Sequence, residues 1–117
     1  MQLNEVSFDS AVPVDGYGPG FFRIGGEVIE GPMLATFAGA RLWAGYSDVA
    51  ALVALAGELD VLFVGTGPEV AHVPPALREA VEAAGIGIEA MASPAACRTY
   101  NVLLSEGRRV GLAVLPV

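Results

Sequence analysis

The chain has 117 residues, of which 54% are hydrophobic and 16% charged, and its formal net charge at pH 7 is −7. This length and composition predict one domain with a substantial core, spanning residues 1–117. The acidic balance argues against a nucleic-acid partner, and the absence of lysine excludes both a Schiff-base lysine and a P-loop.

Reactive and targeting residues are scarce. Cys97 has no second cysteine to pair with, and together with the single histidine, His72, it cannot supply a zinc ligand set. The first residues lack the basic and apolar regions of a signal peptide. The most apolar stretch, residues 49–64, is interrupted by glycine and acidic residues and is too short to span a bilayer. We therefore expect a cytoplasmic protein that does not span a membrane, with no metal and no cofactor.

Short strands are predicted along the first half of the chain. Phe21–Ile24 and Glu27–Glu30 form a hairpin pattern, because Gly25 and Gly26 between them both tolerate positive φ. Two further strands are predicted at Met33–Phe37 and Ala40–Ala44. The segment Val12–Gly20, rich in proline and glycine, is interpreted as an ordered loop or a flexible arm.

Three helices are predicted in the second half, from Ser47 to Gly57, from Pro74 to Gly85 and from Ser93 to about Ser105. Ser47 and Ser93 are candidate N-cap residues, and the prolines favour a first helical turn. Between and after these helices, apolar runs predict buried strands at Leu59–Val64, Ile86–Met91 and Arg109–Leu115. The alternation implies parallel pairing. The predicted fold class is α/β, a mixed sheet with a parallel βαβ core in the C-terminal half and an antiparallel, hairpin-rich N-terminal half.

Polar residues gather where ligands bind in such folds, at the carboxyl ends of the strands and the start of the third helix. The candidate ligand-binding residues are Gly65, Thr66, Gly67, Ser93, Arg98, Thr99, Asn101 and Arg108. One hypothesis is that together they form an anion site. The interpretation that we favour is structural: Ser93 is only a cap, Arg98 pairs with Glu106 or another carboxylate, and Asn101 holds a loop. The Gly65–Gly67 stretch is then a tight turn, because Val70 stands where a dinucleotide fingerprint needs its third glycine.

Catalytic residues are not assigned. Cys97 lies near a helix start, where the helix dipole lowers a thiol pKa, and His72 is the available base. We favour the other interpretation, in which Cys97 is a small buried apolar residue.

Several motifs occur together in one order: Gly16-Tyr17-Gly18, Trp43, Val64-Gly65-Thr66-Gly67, Ala95-Ala96-Cys97-Arg98-Thr99-Tyr100-Asn101 and Glu106-Gly107-Arg108-Arg109-Val110. In these the chain resembles a small bacterial and archaeal domain of unknown function that is shared with mitochondrial complex I assembly factor 3 and with the adipogenesis-associated domain protein. The resemblance implies an α/β fold and, for the mitochondrial relative, a role in assembling NADH dehydrogenase. It implies no catalytic residues.

Two functions follow as hypotheses. The first is a non-enzymatic assembly or interaction factor for a respiratory or other membrane complex, which needs a protein partner and no catalytic constellation. The second is a protein or enzyme that binds a small anion at the start of the Ser93 helix. A homo-oligomer is a third possibility that the sequence leaves open.

Overall fold

Antiparallel hairpins organise the N-terminal half of the computed structural model, which describes residues 11–117. The strands are β1 (Val14–Gly18), β2 (Phe21–Ile24), β3 (Glu27–Glu30), β4 (Met33–Thr36) and β5 (Gly39–Leu42). The turn between β2 and β3 is the predicted pair of glycines, with φ of 59° at Gly25 and 82° at Gly26. These values suit a tight hairpin turn that residues with a Cβ rarely adopt.

Helices and strands alternate in the C-terminal half. A 3-10 turn at Gly45–Ser47 precedes α1 (Val49–Val53), β6 (Val61–Gly65), α2 (Pro75–Ala83), β7 (Gly87–Met91), α3 (Ser93–Ser105) and β8 (Val110–Val114). The three predicted helices and the three predicted strands are confirmed, although α1 ends at Val53 and the chain then continues in turns to Gly57.

The strands form two sheets. Strands β1, β2 and β3 make a small antiparallel sheet, and the larger sheet has the order β5-β4-β8-β6-β7. Within it β8 pairs parallel to β6 and antiparallel to β4, and β6 pairs parallel to β7. This confirms the α/β class, the parallel core from the C-terminal half and the antiparallel N-terminal half.

Each face of the larger sheet is covered by its own apolar cluster. On one face α3 and the small sheet meet the larger sheet around Phe22, Met33 and Tyr100. On the other face α1 and α2 pack through Leu52 and Leu77. A sheet covered on both faces explains why β6 and β8 are apolar along their whole length.

Two predictions about local structure are wrong. The segment Val12–Gly20 contains strand β1, whose pairing with β2 is irregular between Val14 and Gly16. The N-cap of α1 is Asp48, since its Oδ1 accepts a hydrogen bond from the Ala51 N–H at 3.2 Å. Ser47 lies in the preceding 3-10 turn, so its hydroxyl bonds the Ala44 carbonyl instead of the helix.

Candidate functional site

Ser93 lies at the start of α3 and is completely buried, with 0% of its surface exposed. It is the first residue of the helix, and the N-cap position belongs to Ala92, so the predicted capping role is wrong. Its hydroxyl donates to the Leu115 carbonyl at 2.5 Å and accepts from the Gly67 N–H at 2.9 Å. Its N–H donates to the Gly67 carbonyl at 2.8 Å. Ser93 therefore joins the ends of β6 and β8 to α3.

The Gly65–Gly67 stretch is a tight exit from β6. A Cβ on Gly65 would lie 2.5 Å from Cγ2 of Val114 and 2.8 Å from Oγ of Ser93, so only glycine permits this close approach. The Thr66 hydroxyl donates to the Glu69 carbonyl at 2.7 Å and accepts from the Ala71 N–H at 3.0 Å. These contacts order the loop after the strand, as the structural interpretation expects.

Asn101 holds strand β1 against α3. Its Oδ1 accepts from the Val14 N–H, and its Nδ2 donates to the Val14 carbonyl, both at 2.9 Å. The two bonds imitate one step of strand pairing, since both backbone groups of Val14 are satisfied by a single side chain. The side-chain amide of Asn101 therefore has a structural role in this fold.

The remaining candidate residues lie on α3 or just after it, and they are Arg98, Thr99 and Arg108. Arg98 and Thr99 line an open cavity of about 350 Å³ together with Val102 and Leu103. Arg108 follows the other end of this 13-residue helix, which is about 20 Å long. Arg98 makes no ion pair with Glu106 or any other acid within residues 11–117. The structure thus brings Gly65, Thr66, Gly67 and Ser93 together, but not with Arg108, and a ligand there stays a prediction.

Burial determines the chemistry of Cys97. The thiol lies in the apolar cluster beneath α3, and burial raises its pKa from 9.0 to about 11, against a smaller lowering by Arg98. A protonated, enclosed thiol is a poor nucleophile. The expected lowering of its pKa is therefore wrong, and the interpretation of Cys97 as a buried apolar residue is confirmed. His72 is exposed and lines a separate cavity with Val70 and Arg78.

Two features have no clear signal in the sequence. The hydroxyl of the completely buried Tyr100 has no hydrogen-bond partner among residues 11–117, and burial raises its pKa above the ordinary value of 10.0. Strand β5 borders a cavity of about 250 Å³ whose lining includes Leu34, Arg41 and Leu55. Such placements depend on tertiary contacts, which a short sequence window does not encode.

No three His, Cys, Asp or Glu side chains between residues 11 and 117 are grouped so that they could hold a metal ion. Over the same range, no helix has the length and apolar character that crossing a membrane requires.

Residues 14–115 match the model of a family described as protein of unknown function (DUF498/DUF598). The chain belongs to this family. An uncharacterized protein of Rhodobacter capsulatus is 51% identical over 117 residues, which cover 100% of this chain and 94% of that protein.

An assembly factor of NADH dehydrogenase is also similar to this chain. NADH dehydrogenase [ubiquinone] 1 alpha subcomplex assembly factor 3 of Mus musculus is 28% identical over 99% of this chain, which spans 66% of that protein. Among solved structures, an outer membrane protein from Bartonella henselae superposes with a TM-score of 0.83 at 30% identity, over 95% of this chain and 99% of that one. The resemblance that the motifs indicate is therefore confirmed.

Proposed function

We propose that this chain is a non-enzymatic interaction factor that assists the assembly of a respiratory or other membrane complex. The observation that carries the proposal is its relation to assembly factor 3, which extends over 99% of this chain. We further propose that it acts on the cytoplasmic side of that membrane, in contact with complex subunits.

The hydrogen bonds of the described residues support this role over catalysis. Polar side-chain groups form hydrogen bonds with the protein's own backbone at Ser93, Thr66 and Asn101. Cys97, the strongest nucleophile by residue type, is buried, and burial raises its pKa to about 11. An interaction factor needs no reactive group, since it acts by binding a partner protein through its surface.

Helix α3 offers the surface to test first. Arg98 and Val102 are exposed on it, Arg108 is exposed just beyond its C-terminal end, and Val102 retains 55% of its accessible surface. Exposed arginine and aliphatic side chains on one helix suit an acidic or amphipathic protein partner. A charge reversal at both arginines changes this surface without touching the core.

The experiment is affinity purification from detergent-solubilised cells. Wild type is compared with Arg98→Glu/Arg108→Glu and with the control Arg23→Glu/Arg78→Glu, which changes the net charge equally elsewhere on the surface. We expect wild type and control to enrich NADH dehydrogenase or other membrane-complex subunits, and the α3 variant to lose them. Equal thermal unfolding of the three proteins verifies that they are folded. No enrichment over a tag-only sample would contradict the assembly role.

A second candidate function is small-anion binding, favoured by the cavity that Arg98 and Thr99 line. An exposed guanidinium binds carboxylate or phosphate by charge-assisted hydrogen bonds. In this case phosphate or citrate raises the melting temperature of the wild type, and Arg98→Ala abolishes that increase while remaining folded. An equal increase in both proteins would exclude Arg98 as the binding group.

A further inference from the structure

The outer edge of strand β5 carries backbone groups that no strand within residues 11–117 pairs. Among the described strands, β5 is the last of the larger sheet and lies next to β4 alone. The hydrogen bonds between β5 and β4 determine which backbone groups of β5 point outward. The Trp43 N–H donates to the Pro32 carbonyl at 2.9 Å, one step beyond the Met33–Leu42 pair. Antiparallel ladders alternate, so the N–H and C=O groups of Ala40 and Leu42 point away from β4.

Each face of this edge has an open groove. On the α1 face the cavity of about 250 Å³ lies between Leu34, Arg41 and Leu55. On the opposite face a cavity of about 210 Å³ lies between β5 and the turn joining β2 to β3, lined in part by Ile24 and Glu27. Gly39 and Ala40 border both cavities, so the two grooves flank the same point of the strand.

This arrangement matches the side-chain alternation of a β-strand. Successive residues of a strand point to opposite faces of the sheet, so a strand added to β5 places neighbouring side chains in the two grooves. Leu42, which is 64% exposed, would be covered by the same strand. The edge has neither a proline nor a bulge, two devices that commonly block such pairing.

The charges define the chemistry of the added strand. Arg41 is exposed beside the groove on the α1 face, and within residues 11–117 it has no ion pair. An acidic side chain in that groove would be neutralised by Arg41. The opposite groove is bordered by Val12, Ile24 and Ala40 and accepts an aliphatic side chain.

We propose that β5 binds an extended segment of a partner protein by strand addition, with an acidic residue beside Arg41 and an aliphatic residue next to it in sequence. The inference rests on the proposed function for the identity of the natural partner, and it names the surface that this partner uses. Backbone hydrogen bonds supply affinity, and the two grooves supply the sequence preference.

The probe is the blocked pentapeptide acetyl-Thr-Val-Glu-Val-Thr-amide, together with the same peptide carrying Lys in place of Glu. Binding is followed by amide chemical shifts of the isotope-labelled chain. We expect the Glu peptide to shift the amides of Gly39–Leu42, and Arg41→Glu to weaken it about tenfold while improving the Lys peptide. Shifts centred elsewhere, or equal binding of both peptides by the wild type, would overturn the proposal.

The backbone part is tested separately with proline. Ala40→Pro removes an outward N–H and leaves the bonds to β4, so it should abolish binding. Val28→Pro is the matched control, since Val28 pairs across from Arg23 on the edge strand β3 of the small sheet. Undiminished binding by folded Ala40→Pro would refute strand addition. A dimer in which the Ala40 and Leu42 amides are protected would overturn the partner protein as occupant, since β5 would then pair with a second copy.

The outcomes of the two experiments are separable. Peptide binding at β5 without enrichment of membrane-complex subunits would retain the edge site and refute the assembly role. Enrichment of those subunits without peptide binding would retain the assembly role and refute the edge site.

Discussion

Replacing Ser93 by alanine removes the hydroxyl that joins β6, β8 and α3. The Gly67 N–H, which is buried, loses its acceptor, and the partly buried Leu115 carbonyl loses its donor. An unpaired buried backbone group costs about 1–3 kcal/mol, and less where water can reach it. The expected loss is therefore about 2–3 kcal/mol of unfolding free energy. In a domain of this size that corresponds to a fall of about 10 °C in melting temperature.

The assay is chemical denaturation with urea, following tryptophan fluorescence from Trp43, which is buried in the cluster on the α1 and α2 face. The matched control is Ser105→Ala on the same helix, whose exposed hydroxyl bonds only the nearby Val102 carbonyl. We expect that control to stay within about 0.5 kcal/mol of wild type. A Ser93→Ala loss no larger than the control's would refute the assignment of Ser93 as a buried connection.

Three further predictions follow from the core around α3. Tyr100→Phe removes a buried hydroxyl that has no hydrogen-bond partner in the described part of the chain, and it should raise the unfolding free energy by about 1 kcal/mol; a loss of that size would show that the hydroxyl is satisfied. Because burial raises the pKa of Cys97 from 9.0 to about 11, its contribution to stability is full below pH 9 and is lost as the pH rises toward 11. Urea unfolding across that pH range should show a smaller decline in unfolding free energy for Cys97→Ala than for wild type. An equal decline in both proteins would contradict the raised pKa of Cys97. Asn101→Ala leaves both backbone groups of Val14 unpaired, so it should accelerate amide hydrogen exchange in β1 more than in β6. An equal acceleration in both strands would argue against Asn101 as the residue that holds β1.

Features set by neighbouring residues were predictable from the sequence. The Gly25-Gly26 turn followed from the positive φ that both positions need, and the parallel core followed from apolar runs alternating with helices. These signals lie within a few residues of the structure that they determine.

Features set by distant residues were not predictable. Strand β1 could not be recognised in the sequence, because it contains glycines and is flanked by prolines. It is held by Asn101, which is 87 positions away from Val14. Ser93-Pro94 has the pattern of a helix cap, but the partners that occupy its hydroxyl come from Gly67 and Leu115. The choice between a cap and a buried connection depends on which strand ends meet in space.

The position of β8 has a consequence for biosynthesis. This strand lies between β4 and β6, yet the ribosome makes it after both of them. The β4–β5 hairpin and the β6–β7 pair can therefore not join into one sheet until the segment Val110–Val114 has left the exit tunnel. Until then the apolar inner edges of both halves stay unprotected in the nascent chain, which makes this interval the time when the protein most needs a chaperone.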